Sequence, residues 1–133
     1  MIDLNLLREN PEAIKASQRA RGAEESLVHQ AASADEQWRA ALQKFENLRA
    51  EQNASAKVVA TASKEEKPAL IAAAQELAAK VKAAEADANQ AQQDLNEILW
   101  KIENVVITDV PSGGEENFVV IKEVGTKATF DFE

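Results

Sequence analysis

The sequence predicts a mainly α fold: a long antiparallel two-helix coiled-coil hairpin, with a short N-terminal helical lead-in and a few short C-terminal strands. Large apolar side chains are scarce, because only 5% of the 133 residues are aromatic and 26 are alanine. Such a composition, rich also in Glu, Lys and Gln, is typical of long helices with a thin apolar seam. Apolar residues also recur in alternating steps of four and three residues, which is the heptad pattern of a coiled coil.

Residues 1–22 predict the helical lead-in. Asn10 suits an N-cap. Pro11 suits the first helical position, because the backbone N–H that proline lacks makes no hydrogen bond within the helix at that position. Gly22 is a natural stop, and Arg19 and Arg21 lie favourably near the negative end of the helix dipole.

Two heptad stretches predict the long helices, at residues 26–62 and 66–104. The first seam consists of Leu27, Ala31, Ala34, Trp38, Ala41, Phe45, Leu48, Gln52, Ser55 and Val59. The second seam consists of Leu70, Ala74, Leu77, Val81, Ala84, Ala88, Ala91, Leu95, Ile98, Ile102 and Val105. Each covers more than four heptads, so a chance pattern is an unsatisfactory explanation.

The polar segment between the seams predicts a short connection, which makes the helices antiparallel neighbours. Ser63 and Glu66 have the spacing of a capping box, whereas Pro68 is late for that cap. Either the first turn is irregular or the second helix begins nearer Glu66.

Folding the chain back at this connection places large side chains opposite small ones along a hairpin about 50 Å long, from about 33 residues at 1.5 Å each. The predicted pairs include Trp38 with Ala91, Ala34 with Leu95 and, nearer the tip, Gln52 with Leu77. The last of these pairs weakens the seam near the tip.

Residues 105–133 predict a β connection toward a missing domain. The β-branched run 105–107, the apolar run 118–121 and the alternating run 129–132 each suggest a short strand, with a turn at Pro111–Gly114. Two or three such strands bury little by themselves. We therefore expect their edges to pair with a second copy of the isolated chain.

No catalytic constellation is present in the sequence, so we expect that the chain alone is not an enzyme. There is no cysteine, His29 is the single histidine, and we identify no catalytic or metal-binding residue. No stretch approaches 18 apolar residues, which predicts a protein without a membrane segment and a cytoplasmic location.

The charge is polarised along the chain. The net charge is −8, but residues 44–82, which we call the distal half of the hairpin, contain seven bases and five acids. These bases could simply keep the helices in solution, aided by pairs such as Glu76–Lys80. They could instead contact the phosphates of a nucleic acid whose shape fits the hairpin. The spacing of the bases does not distinguish between these two interpretations.

Three segments in order resemble bacterial seryl-tRNA synthetases. They are Met1–Glu12, Leu48–Lys57, and the run Asn104–Val106 followed by Val110–Asn117 and Gly125. The resemblance covers the whole chain and implies its N-terminal tRNA-binding arm. The catalytic core with its ATP- and serine-binding motifs would follow Glu133.

That resemblance implies a parent class II serine–tRNA ligase that uses ATP and Mg²⁺ and works as a homodimer. The arm would contact the backbone of the long variable arm of serine tRNA, beside the catalytic domain. This chain itself would need no cofactor. The candidate tRNA contacts are Lys44, Arg49, Asn53, Lys57, Lys64, Lys67, Lys80 and Lys82. Of these, Arg49, Asn53 and Lys57 lie in a matched segment. The alternative is a structural or protein-interaction coiled coil with no RNA role.

Overall fold

The computed structural model describes residues 2–107, 109–126 and 128–131. Helices α1 (Leu4–Glu9) and α2 (Pro11–Arg21) precede two long helices, α3 (Ser26–Thr61) and α4 (Lys67–Leu99). Helices α3 and α4 pack against each other. Because only residues 62–66 separate them, they run in opposite directions. The fold is therefore mainly helical, as the sequence predicts.

The predicted seam is the buried side of both long helices. Every predicted seam position in α3 and α4 is buried or half-buried, and so is Ile102 beyond the end of α4. Val105, the last predicted position, is instead 38% exposed. The heptad pattern thus predicted the packing faces correctly along both helices and as far as Ile102, although α4 itself ends at Leu99, before the predicted end at residue 104.

The tightest packing lies at the base of the hairpin, where the lead-in docks. Ile2, Leu7 and Ile14 join one core cluster with side chains from both long helices. The members from those helices and the segment after them are Val28, Ala31, Ala34, Leu95, Leu99 and Ile102. The apolar side of the lead-in therefore finds its partner on the hairpin itself.

The predicted caps of α2 are confirmed. The Asn10 side chain accepts a hydrogen bond from the Ala13 N–H at 3.2 Å, and Pro11 is the first helical residue. Gly22 ends the helix in the left-handed conformation, with φ of 70°. That backbone conformation is unfavourable for residues with a Cβ, so glycine suits the position.

The connection between the long helices contains the predicted capping box. The Ser63 hydroxyl accepts from the Glu66 N–H at 3.4 Å, and the Glu66 carboxylate accepts from the Ser63 N–H at 3.3 Å. Helix α4 then begins at Lys67, so Pro68 lies in the first turn, where its missing N–H leaves no bond unmade. Of the two alternatives, the later helix start is the observed one.

The predicted C-terminal strands are wrong. Helix α4 ends at Leu99, and the described residues beyond it form no strand, only a 3₁₀ turn at Glu115–Asn117. Ile121, in one predicted strand, is 97% exposed. A β-branched run becomes a strand only when a neighbouring strand accepts and donates the ladder hydrogen bonds, and the described part of the chain contains no such strand. Phe132, the end of the last predicted strand, lies outside the described residues.

Candidate functional site

All eight candidate contact residues are exposed on the distal half of the hairpin. Helix α3 carries Lys44, Arg49, Asn53 and Lys57. Lys64 lies in the connection. Lys67 is the first residue of α4, which also carries Lys80 and Lys82. The structure therefore distributes these side chains over two helices and their tip, along one continuous end of the molecule.

The seven distal bases make no ion pair with any residue that the structure describes. The ion pairs found there involve Arg8, Lys15, Arg19, Arg21 and Arg39, all toward the base of the hairpin. The Glu76–Lys80 pair that would have supported a purely solubilising role is not among them. Exposed ammonium and guanidinium groups without carboxylate partners can bind an anionic ligand without first breaking a salt bridge.

The distal side chains lie on more than one side of the helices. Arg49, Asn53 and Lys57 follow one another at intervals of four, so they form one stripe on α3. The Arg49 guanidinium lies 6.0 Å from the centroid of the half-buried Phe45 ring, which restrains that side chain. Lys80 and Lys82 are two residues apart, about 200° around α4, and therefore project from opposite sides.

An ion-pair network near the base fixes the lead-in to α3. Asp35 is 2% exposed, and its carboxylate accepts two hydrogen bonds from Arg8, at 2.9 and 2.6 Å. Arg39 donates a third at 2.9 Å. The Arg8 hydrogen bond is the main cause that lowers the pKa of Asp35, and Arg39 adds to it. The sequence did not indicate this network, because Arg8 and Asp35 are 27 residues apart and no local pattern links them.

The described residues contain neither a metal-binding cluster nor a membrane-spanning helix. No group of three or more His, Asp or Glu side chains among them could hold a metal ion. His29 is exposed at the base end of α3. No helix formed by the described residues is both long enough and apolar enough to cross a membrane.

The fold and this surface define a class of protein: an elongated helical arm with exposed bases at its far end. The model of the seryl-tRNA synthetase N-terminal domain family matches residues 1–106. The chain belongs to this family, and the resemblance noted in its sequence is confirmed.

Individual relatives agree with this assignment. The serine–tRNA ligase of Paenarthrobacter aurescens is 55% identical over 134 aligned residues, which cover 100% of the chain and 32% of that protein. The serine–tRNA ligase of Acidothermus cellulolyticus is 53% identical over 132 residues, which cover 99% of the chain and 31% of that protein. The chain thus spans about a third of the length of these curated relatives.

A solved structure has the same fold. It is the crystal structure of the cytoplasmic serine–tRNA ligase from Naegleria fowleri in complex with AMP. The TM-score is 0.73 at 29% sequence identity, and the match covers 95% of the chain and 28% of that protein. The hairpin with its lead-in therefore corresponds to a part of a larger ligase in that structure.

Proposed function

We propose that this chain is the tRNA-binding arm of a seryl-tRNA synthetase. It positions the long variable arm of serine tRNA for ATP- and Mg²⁺-dependent aminoacylation by a catalytic domain that follows it. The observation that carries this proposal is the set of seven exposed distal bases with no ion-pair partner among the described residues. Family membership supplies the class of ligand, and the exposed bases supply a means of binding it.

Shape recognition suits this arrangement. The deep major groove of an RNA helix hides the base edges, so a helical arm contacts phosphates and riboses instead. The remainder of the chain carries eight bases and eighteen acids, which repel phosphates away from the distal half. Binding is therefore directed to the far end of the hairpin, although the net charge of the chain is −8.

The long helices form an antiparallel coiled coil in this proposal, in the register predicted from the sequence. The core cluster supports it, because the predicted partners Ala34 and Leu95 both belong to it. Lys44 and Lys80 each precede an equivalent seam residue, and such positions face each other in an antiparallel coiled coil. Lys44 and Lys80 then share one flank of the hairpin.

Arg49 and Lys82 lie toward the other flank in the same register, each following a seam residue. The two flanks provide separate tests. If the tRNA lies against one flank, reversing the charges there removes binding and reversing the charges on the other has a small effect. If the tRNA spans the tip, both pairs contribute.

The experiment measures binding of the chain to serine tRNA and to a tRNA with a short variable arm, each over a range of KCl concentrations. We expect preference for the long variable arm and an affinity that falls as salt rises, because phosphate neutralisation releases counterions. Lys44→Glu with Lys80→Glu, and Arg49→Glu with Lys82→Glu, identify the flank. Each lost phosphate contact lowers the salt slope by about one.

The matched control is Lys101→Glu with Lys122→Glu. It makes the same change in net charge with two exposed lysines outside the distal half. Equal losses in the control and in both distal variants would show a general charge effect and contradict the proposed site. Equal, salt-insensitive binding of both tRNAs by the unaltered chain would favour the alternative of a protein-interaction coiled coil.

The same proposal includes the assembly of the whole enzyme. The parent is a cytoplasmic homodimer, and the exposed apolar side chains of Phe118–Ile121 promote association of the isolated chain with a second copy. Light scattering after size exclusion tests the latter point. A strict monomer at high concentration would contradict it without affecting tRNA binding.

A further inference from the structure

Three side chains of α2 hold the backbone of the segment that leaves the hairpin. Gln18 donates to the Glu103 carbonyl at 2.9 Å and accepts from the Glu103 N–H at 3.3 Å. The Ser17 hydroxyl accepts from the Val106 N–H at 2.8 Å. Arg21 donates to the Asn104 carbonyl at 3.0 Å. We call Ser17, Gln18 and Arg21 the exit clamp.

Gln18 is the centre of the exit clamp. Its side chain is fully buried, and its amide pairs with both backbone polar groups of one residue, as a neighbouring strand would. If this buried amide lost these partners, its polar atoms would be left without hydrogen bonds and without water, which is unfavourable in free energy. The residues 103–106 therefore have one strongly preferred position relative to α2.

Helix α2 is itself fixed to the base of the hairpin. Ile14 is fully buried in the core cluster that contains Leu95 and Leu99 of α4. The exit clamp therefore connects the departing segment to the hairpin by a second route, besides the covalent continuation from α4. Two separate attachments restrain the angle between the hairpin and the departing segment, which a single flexible connection would leave free.

We propose that Ser17, Gln18 and Arg21 are positioning residues that fix the direction in which the chain leaves the hairpin. They thereby orient the arm relative to the polypeptide that follows it in the longer relatives. The functional part of this inference rests on the proposed function, since the orientation matters to tRNA placement. The structural part stands on the hydrogen bonds alone.

The first experiment measures the orientation directly, by the distance between two spin labels. The chain has no cysteine, so labels at Ala54→Cys on α3 and Ser112→Cys beyond the exit clamp are unambiguous. We expect a narrow distribution in the unaltered chain. Gln18→Met keeps the size of the side chain and removes both of its hydrogen bonds. We expect this substitution to at least double the width of the distance distribution. The exposed Gln75→Met on α4 is the matched control and leaves it unchanged.

A second measurement covers the case in which Gln18→Met fails to fold. Ser17→Ala removes only a hydroxyl group, and we expect amide exchange at Val106 to become at least tenfold faster. Exchange within α3 serves as the internal reference and stays the same. Unchanged label distances in Gln18→Met, or unchanged Val106 exchange in Ser17→Ala, would overturn the inference.

The functional readout separates this inference from the proposed function. In the 133-residue chain, Gln18→Met keeps its affinity for serine tRNA, because the distal bases are untouched. In the full-length ligase it raises KM for tRNA severalfold and leaves KM for serine unchanged. If the unaltered chain binds no tRNA while Gln18→Met broadens the label distances, the proposed function fails and the exit clamp stands. If tRNA binds and the distances do not change, the exit clamp fails.

Discussion

Asp35 is a buried charged residue that links the lead-in to α3 through Arg8. Its side chain is buried and accepts hydrogen bonds from Arg8 and Arg39. These two cations compensate the negative charge, which solvent no longer stabilises at this position. Both arginines keep part of their surface in solvent, with 36% and 51% of the side chain exposed. They can therefore be rehydrated when the carboxylate is removed.

Asp35→Ala is expected to lower the free energy of unfolding by about 1–2 kcal/mol. This loss is well below the roughly 3–5 kcal/mol for breaking a fully buried pair, because the freed arginines reach water. Chemical denaturation followed by circular dichroism measures the change. Glu36→Ala, an exposed neighbour on the same helix, is the control and should change the free energy by less than about 0.5 kcal/mol. Equal effects of both variants would contradict the role of Asp35.

The stability of the chain is also expected to depend on pH through Asp35. The Arg8 hydrogen bond lowers the pKa of this carboxyl in the folded state below its unfolded value of about 3.9. The stabilisation is complete above that unfolded pKa and is lost as the pH falls through the lower folded pKa. Unfolding at a series of pH values between about 2 and 6 measures this, and the decline should be shallower in Asp35→Asn. If the free energy of unfolding fell equally steeply in that variant, the pH dependence would come from other carboxylates.

Local sequence signals predicted the individual caps, but not the tertiary contacts of single residues. Asn10, Gly22 and the Ser63–Glu66 box act within a few residues of their own position, so the spacing alone identified them. Asp35 and Gln18 bond to residues 27 and 85 positions away, respectively. Nothing in a single sequence indicates which distant residue completes such a contact.

At the scale of the helices, the heptad pattern predicted which faces are buried because period and burial are linked by helix geometry alone. The C-terminal strands failed for the opposite reason. A strand needs a partner, and the apolar run 118–121 has none among the described residues. The candidate contact residues were found from charge and a matched segment, and their role stays a prediction because charge alone does not identify a ligand.

The seam is expected to be energetically uneven along the hairpin. Leu95 is 1% exposed in the core cluster, whereas Leu77 is half-buried nearer the tip, where the predicted register faces it with Gln52. Leu95→Ala should lower the free energy of unfolding by about 3 kcal/mol, and Leu77→Ala by about 1 kcal/mol. Denaturant titration of both variants measures the difference. Equal losses would contradict the uneven packing.

The whole molecule has one strong core at its base and a thin seam toward its tip. Hydrogen exchange should therefore be slowest around Ala31 and Leu95, and at least tenfold faster around Ser55 and Ala74, because local opening needs less buried surface to be exposed. Exchange followed residue by residue by NMR measures this gradient. A uniform rate along α3 and α4 would show that the hairpin opens only as a whole.

The length of the hairpin gives the small contacts at its base a large effect at its far end. A rotation of about 5° at the base moves the tip of a rigid rod about 50 Å long by about 4 Å. That displacement exceeds the length of a hydrogen bond, which is about 3 Å. In the proposed full-length enzyme, where a catalytic domain also holds the tRNA, the position of Lys57 relative to a phosphate would therefore depend on the angle that Gln18 fixes at the opposite end of the molecule.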